Sequence, residues 1–260
     1  MLHHEISGNG KKPLVLLHGF MENTTIWNEM EAHLSKDFTL IKIDLPGHGK
    51  SKVYQEIHTV ELMAEKVKEV IDALKLEKIN LLGHSLGGYV SLAFAEKFPE
   101  ILESMTLFFS TTVADDEEKK AIRKRSIAVI DENFETFVKT SIPNLFSNNE
   151  KDILEGKIEL AKNIAKSTHK EGVKAAQLGM AERPDRTEIL ENLDAKILII
   201  AGKYDNAVKT ENLLKTIPEK TNIKTYVLDW GHNGHWEKPT ICAEIINTEL
   251  FHNLPKHFLL

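Results

Sequence analysis

The segment Ile79-Asn80-Leu81-Leu82-Gly83-His84-Ser85-Leu86-Gly87-Gly88 decides the fold, because it places a serine between glycines directly after an apolar run. Residues 79–82 predict a buried strand and residues 89–97 predict a helix. Between a strand and a helix, Gly-x-Ser-x-Gly forms a turn so tight that side chains two positions from the serine would clash. Ordinary glycine-rich turns also contain this motif, so the flanking elements carry the argument. We predict that Ser85 is a nucleophile at the carboxyl end of a sheet.

Short apolar runs rich in β-branched residues predict the other strands. Together with the first they cover residues 14–17, 39–43, 79–82, 105–109, 197–201 and 224–228. Most are apolar throughout, as in a parallel sheet that is buried on both faces. Amphipathic helical patterns lie between them, the clearest over residues 59–74. This alternation predicts an α/β fold, with a mostly parallel twisted sheet flanked by helices.

One long segment interrupts the alternation of strands and helices. Residues 113–186 contain helical patterns at 117–130, 134–146, 152–164 and 171–180, and no convincing strand. Pro143 and Pro184 fit breaks near helix ends. We predict a core made of residues 1–112 and 187–260, with residues 113–186 inserted between two strands as a helical cap.

A histidine motif follows the last predicted strand. In Gly231-His232-Asn233-Gly234-His235, an imidazole at the strand end can reach the serine hydroxyl and remove its proton. We predict His232 as this general base, because it follows the glycine that is nearest the strand. His235 is expected to begin the final helix or to line the substrate pocket.

An acidic motif follows the preceding strand, at Ala201-Gly202-Lys203-Tyr204-Asp205. A carboxylate there accepts the imidazole N–H, fixes its tautomer and stabilises the imidazolium. The chain order Ser85, Asp205, His232 is the order expected for a strand–serine–helix elbow of this type. Asp44 is the main rival, but it precedes Ser85, and the proline and glycines after it indicate a turn anchor. We predict Asp205 as the acid.

The segment Leu16-Leu17-His18-Gly19-Phe20 follows the first predicted strand. In a fold with this elbow, a His-Gly-x turn directs a backbone N–H toward the acyl oxygen. We predict that the amides of Phe20 and Leu86 form the oxyanion hole. The alternative is that Gly19 only ends a strand.

These motifs together resemble the capped esterase, enol-lactonase and C–C hydrolase branch of the α/β-hydrolase superfamily. The resemblance covers the core, roughly residues 13–112 and 187–250. It implies a helical lid over the active site, a small-molecule substrate, and neither a metal nor an organic cofactor. Serine at position 85 disfavours the dehalogenases and epoxide hydrolases of this fold, which use aspartate there. Because the predicted cap is rich in apolar residues, we expect hydrolysis of carboxylic esters with small or medium acyl groups.

Two alternatives stay open. A C–C hydrolase or a menaquinone-pathway lyase uses the same triad, and that lyase carries an arginine just after its elbow glycines. Tyr89 stands at that position here and is expected to contact substrate, while Arg123, Arg125 or Arg183 could hold an acidic substrate instead. The alternative of another class is a non-catalytic, ligand-binding relative of the fold.

Composition disfavours several other function classes. The chain has 260 residues, of which 42% are hydrophobic and 28% charged, as expected for one globular unit. A net charge of −6 without a basic stripe argues against nucleic acid as a partner. The single cysteine excludes an intramolecular disulfide, and no Cys/His spacing indicates zinc. No signal segment or long apolar run is apparent, so we expect no membrane association and a cytoplasmic location.

Overall fold

The computed structural model describes residues 1–34, 36–148 and 152–251. Its strands are β1 (His4–Ser7), β2 (Lys12–Leu17), β3 (Phe38–Ile43), β4 (Ile79–His84), β5 (Leu102–Phe108), β6 (Lys196–Gly202) and β7 (Ile223–Leu228). Within the described residues they form one sheet in the order β1-β3-β2-β4-β5-β6-β7. All neighbouring strands are parallel except β1 and β3. The predicted fold class is confirmed, and β1 is an antiparallel edge strand that the sequence pattern did not reveal.

Helices connect the strands. They are α1 (Asn28–Leu34), α2 (Val60–Ala73), α3 (Leu86–Lys97), α4 (Glu117–Ser141), α5 (Glu155–Ser167), α6 (Lys170–Glu182), α7 (Glu188–Asn192), α8 (Thr210–Leu214), α9 (Gly234–Glu237) and α10 (Pro239–Ile246). None of the helices in the described part of the chain combines the length and the apolar character that crossing a membrane requires.

The sheet separates two apolar cores. Val15 and Leu17 of β2 pack into one core with α2 and α3, whereas Leu14 and Leu16 pack into the other with α1 and α10. Successive side chains of a strand point to opposite faces, so a run that is apolar throughout supplies both cores. This arrangement leaves the carboxyl ends of the strands free to carry the loops that follow them.

The chain between β5 and β6, residues 109–195, is called the β5–β6 segment and contains α4 to α7. Helix α4 is kinked at Asn133 (φ −155°, ψ 85°), between the two predicted patterns 117–130 and 134–146. Helix α6 packs directly on the core, since a Cβ at Gly179 would lie 1.8 Å from the carbonyl oxygen of His58. A Cβ at Gly172 would similarly lie 2.2 Å from the carbonyl oxygen of Gly47. Helix α6 is therefore held against the loop that precedes α2.

Candidate active site

Ser85 lies in the turn between β4 and α3. Its backbone has φ 50° and ψ −112°, a left-handed conformation that costs a non-glycine residue about 1–3 kcal/mol. The Ser85 N–H donates to the carbonyl oxygen of Phe108 at 3.0 Å. A Cβ at Gly83 would lie 2.1 Å from the carbonyl oxygen of Gly87, so the two glycines allow the turn to close. This backbone conformation places the serine hydroxyl at the carboxyl end of β4.

Three side chains from three loops meet at this turn. The Nε2 atom of His232 lies 2.8 Å from Oγ of Ser85, and its Nδ1 atom lies 2.7 Å from Oδ2 of Asp205. An ionised carboxylate only accepts hydrogen bonds, so Nδ1 carries the proton and Nε2 is left to accept from the serine hydroxyl. The side chains of Asp205 and His232 are 1% and 3% exposed. The three residues predicted from sequence thus form one continuous hydrogen-bonded chain.

The loop after β6 orients the Asp205 carboxylate. Its Oδ1 atom accepts the backbone N–H groups of Ala207 and Val208 at 2.7 and 2.8 Å, which leaves Oδ2 for His232. The rival Asp44 has a different environment, because its carboxylate accepts the backbone N–H groups of Thr24 and Lys50. Asp44 therefore holds a turn together.

Both the backbone N–H and the carbonyl oxygen of His232 make hydrogen bonds to other segments. Its N–H donates to the carbonyl oxygen of Leu145, in a short 3-10 helix (Ile142–Leu145) of the β5–β6 segment, at 2.9 Å. Its carbonyl oxygen accepts from Nε2 of His84 at 3.1 Å. The Glu237 carboxylate accepts the N–H groups of Ser147 and Gly231, at 3.1 and 3.2 Å. The histidine loop is thus joined both to the elbow and to the β5–β6 segment.

The backbone amides of Phe20 and Leu86 stay the predicted oxyanion donors, and the structure gives the position of each along the chain. Leu86 is the first residue of α3, where backbone N–H groups have no carbonyl partner within the helix. Phe20 follows Gly19, just after the end of β2. Gly87 of the elbow lies close to that end, because a Cβ at Gly87 would be 2.4 Å from the carbonyl oxygen of Leu17. The two predicted donors therefore lie on adjoining turns.

A second polar cluster, Glu22, His84 and His235, lies behind the triad. Nδ1 of His84 lies 2.9 Å from Oε2 of Glu22, and Nε2 of His235 lies 3.4 Å from Oε1. Among the described residues these three could together offer ligand atoms to a metal, all within 4.8 Å of one another. However, both ring nitrogens of His84 already face acceptor oxygens, and Oε2 of Glu22 also accepts the N–H of Gly19 at 2.6 Å. The arrangement is therefore that of a hydrogen-bond network.

The cluster was not anticipated from sequence, apart from the interpretation of His235 as a pocket residue. Its members are 62 and 151 positions apart along the chain, and no spacing rule joins them. The His235 ring is 0% exposed and packs edge-on to His84, with ring centroids 4.4 Å apart. Tyr89 is also buried, and the guanidinium of Arg183 covers its ring at 4.0 Å. Substrate contact by either side chain stays a prediction, which this burial does not favour.

A cavity of about 10 Å³ lies between the β5–β6 segment and the turn that carries Gly19 and Phe20, here called the oxyanion turn. It has room for about one water molecule. It is lined by Phe20, Met21, Glu22, Ile26, Ile142, Leu145, Ala161, Ile164, Asn233 and Trp236. The lining includes Phe20, one predicted oxyanion donor, and Asn233, the neighbour of His232. The cavity is therefore small and mainly apolar, and it lies beside two chain neighbours of the proposed site without being lined by Ser85 or His232.

The sheet order, the turn at Ser85 and the residues that meet there define an α/β-hydrolase architecture. The family model described as alpha/beta hydrolase fold matches residues 12–239, so the chain belongs to this family. The resemblance stated from sequence is confirmed.

Individual proteins resemble the chain over most of its length. A thermophilic esterase from Thermogutta terrifontis superposes with a TM-score of 0.89 at 33% identity, covering 96% of this chain and 92% of that one. A 2-hydroxy-6-oxononadienedioate/2-hydroxy-6-oxononatrienedioate hydrolase of Escherichia coli (strain K12) is 27% identical, covering 91% of this chain and 86% of that protein. A Bacillus subtilis (strain 168) protein, provisionally named a 2-succinyl-6-hydroxy-2,4-cyclohexadiene-1-carboxylate synthase, is 27% identical, covering 92% of this chain and 90% of that protein.

Other relatives match over a shorter stretch. The chain spans only 32% of the length of an uncharacterized Mycobacterium tuberculosis relative, which is 35% identical over 111 residues.

Proposed function

We propose that the chain is a serine hydrolase that cleaves small or medium carboxylic esters through an acyl-enzyme on Ser85. The observation that carries the proposal is the continuous hydrogen-bonded chain from Ser85 through His232 to Asp205, with distances of 2.8 and 2.7 Å. A serine hydroxyl becomes nucleophilic when a positioned base accepts its proton in the transition state. The left-handed turn of Ser85 supports this role, because strained backbone is retained where geometry matters.

In this mechanism His232 takes the hydroxyl proton as the Ser85 oxygen attacks the ester carbonyl carbon. The carbonyl oxygen becomes an oxyanion, which the amides of Phe20 and Leu86 stabilise. His232 then gives its proton to the departing alkoxide, so that an alcohol leaves and the acyl group stays on Ser85. A water molecule activated by the same imidazole repeats the sequence, which releases the acid and restores Ser85. Asp205 stabilises the imidazolium in both halves.

The β5–β6 segment, whose residues 113–186 we propose as the cap, supports the proposal that the acyl group is short. Ile142, Leu145 and Ile164 of this segment close one side of the 10 Å³ cavity beside Phe20. A mainly apolar site this small favours a short acyl group over a long one, since each methylene that is accommodated contributes at most about 0.8 kcal/mol.

C–C bond hydrolysis, or the related lyase reaction, is the second candidate. It is favoured by the similarity to the Escherichia coli hydrolase and the Bacillus subtilis protein over most of their lengths. Two of the three arginines predicted as ligands of an acidic substrate argue against it, because Arg123 and Arg183 both pair with the buried Asp115, whereas the third, Arg125, is exposed on α4. Arg183 also donates to the carbonyl oxygens of Met180 and Val113. Neither guanidinium is thus left unpaired to hold a substrate carboxylate.

A substrate panel tests the proposal directly. The chain should hydrolyse p-nitrophenyl acetate or butyrate, and Ser85→Ala should lower kcat by about 10⁴-fold. Ser91→Ala is the matched control, since its Oγ only donates to the carbonyl oxygen of Gly87 within α3. Turnover of vinylogous diketones without ester hydrolysis would favour the C–C reaction. Binding without turnover of either class would favour the non-catalytic alternative.

A further inference from the structure

Glu22 and His84 join two loops of the proposed active site. Oε2 of Glu22 accepts the Gly19 N–H at 2.6 Å and lies 2.9 Å from Nδ1 of His84. The other ring nitrogen of His84, Nε2, lies 3.1 Å from the carbonyl oxygen of His232. The path therefore runs from the turn that carries Phe20, through the residue before Ser85, to the backbone of the triad histidine.

The contacts of His84 fix its protonation state. A carbonyl oxygen can only accept, so Nε2 must donate a proton to His232. The carboxylate of Glu22 is likewise an acceptor, so Nδ1 must donate as well. An imidazole that donates from both nitrogens is an imidazolium. His84 and Glu22 therefore form a buried ion pair.

We propose that this ion pair positions the triad and the oxyanion turn, by holding the carbonyl oxygen of His232 and the N–H of Gly19 at a fixed separation. The inference rests on the proposed function. In the proposed mechanism Glu22 and His84 are positioning residues, because neither touches a reacting atom. The space around them is tight, because a Cβ at Gly19 would lie 2.7 Å from both Oε2 of Glu22 and Nδ1 of His84. A turn packed this closely has little freedom to realign.

The surrounding charges are compatible with a protonated His84. Burial alone would lower its pKa, but the Glu22 carboxylate, the His232 carbonyl oxygen and the Asp205 carboxylate together raise it above 6.5. Burial would raise the pKa of Glu22, but the facing imidazolium holds it well below 4.5.

Three other histidines lie near His84. The ring of His232 is 5.1 Å from it, between centroids. The other two, His235 and His18, do not compete for the positive charge. Burial and the neighbouring positive charge of His84 lower the pKa of His235 to about 4. Burial also lowers the pKa of His18, whose Nε2 accepts the N–H of Leu45. The positive charge of the cluster therefore resides on His84.

Nitrogen NMR of the full-length chain tests the protonation state without any substrate. Histidine side chains are ¹⁵N-labelled, and His84 is assigned by the signal that disappears in His84→Gln. Both His84 nitrogens should show imidazolium shifts at pH 7, and they should lose these shifts only as pH rises through a pKa that lies above 6.5. Neutral-imidazole shifts at pH 7 would overturn the proposal, even if the chain hydrolyses esters.

Glu22→Gln tests the positioning role, because it removes the charge and keeps the size of the side chain. In this variant the backbone of His232 is held less firmly, so the bond from Nδ1 to Asp205 that fixes the tautomer should weaken and the ring should lose its single tautomer. The value of kcat should fall about 10-fold or more while KM changes less than about 3-fold. The alkaline limb of the kcat/KM profile should move to lower pH, because the proton of His84 is held less tightly without the Glu22 carboxylate. Glu61→Gln is the matched control, since it removes a carboxylate that pairs with Arg186.

The two proposals fail in distinguishable ways. If the wild-type chain hydrolyses no ester while Glu22→Gln disturbs the His232 tautomer, the proposed function is wrong and the ion pair still aligns the ring. If Glu22→Gln lowers activity equally at every pH and leaves the tautomer unchanged, the residue is merely structural and the inference is overturned. If Glu22→Gln does not fold, the shifts of His84 in the wild-type chain decide, and neutral shifts overturn it.

Discussion

The carbonyl oxygen of Leu145 accepts a hydrogen bond of 2.9 Å from the backbone N–H of His232. The β5–β6 segment therefore holds the backbone of the proposed general base directly. Glu237 strengthens this link, because one carboxylate bridges Ser147 of the segment and Gly231 of the histidine loop.

Glu237→Gln should uncouple the histidine loop from the segment. A carboxamide has only one acceptor oxygen, so one of the two buried N–H groups loses its partner at a cost of about 1–3 kcal/mol. We expect a lower Tm and a kcat reduced about 10-fold, because small displacements of a general base are costly. Glu244→Gln, on the exposed side of α10, is the control. Unchanged kcat and Tm in Glu237→Gln would show that the bridge does not hold the loop.

The two histidines of the final loop should differ sharply. His232→Ala should lower kcat by about 10⁴-fold, because it removes the proton acceptor of Ser85. His235→Phe should keep kcat within about 10-fold of wild type, since His235 is uncharged at neutral pH and packs among aromatic rings. Steady-state kinetics on a short ester checks both variants. The reverse ranking would mean that the base has been misassigned.

Acyl specificity should follow the volume of the cavity beside Phe20. We expect kcat/KM to be highest for acetyl to butyryl esters and to fall with longer chains, without a rise when substrate exceeds its solubility. Ile164→Ala removes a side chain that lines the cavity and should move the optimum to longer acyl groups. Leu160→Ala, an exposed position on the same helix, should leave it in place. A palmitoyl optimum in the wild type would contradict the proposed pocket.

The Glu22–His84 pair should make stability depend on pH in a defined window. The pKa of His84 is raised, so its contribution is complete below about 6.5 and is lost as pH rises through the raised value. The pKa of Glu22 is lowered, so its contribution is complete above about 4.5 and is lost as pH falls through the lowered value. The difference in unfolding free energy between wild type and Glu22→Gln should therefore be largest between these values.

Urea unfolding at about pH 5.5 and about pH 9.5 measures this difference. At the lower pH the difference in unfolding free energy should stay below the ~3–5 kcal/mol that an unpaired buried charge costs, because the imidazole of His84 can release its proton. A difference that is larger at alkaline pH would have the wrong sign for this ion pair.

Much of the fold and of the site could be predicted from local patterns. Residues 79–88 contain a whole strand and turn, so the position of Ser85 follows from neighbours within ten residues. Asp205 and His232 follow the adjacent strands β6 and β7, and parallel strands bring their carboxyl ends to one edge. The kink at Asn133 also falls in the gap between the predicted patterns 117–130 and 134–146.

What escaped prediction depends on tertiary contacts. The β1 strand His4–Ser7 is short, and its polar residues at a sheet edge gave no apolar run to recognise. The Glu22–His84 pair joins residues 62 positions apart, and its charge state arises only from the acceptors that surround His84. Burial of His235 likewise depends on Trp27, Phe108 and His84, which come from three separate segments.

Trapping of the acyl-enzyme tests directly whether Ser85 is the nucleophile. The chain is mixed with p-nitrophenyl acetate, quenched in acid within the first turnovers, digested and analysed by mass spectrometry. We expect one acetyl group on the peptide that contains Ser85, absent from Ser85→Ala and much reduced in His232→Ala. Acetyl groups that persist in Ser85→Ala, or that form equally well without His232, would contradict it.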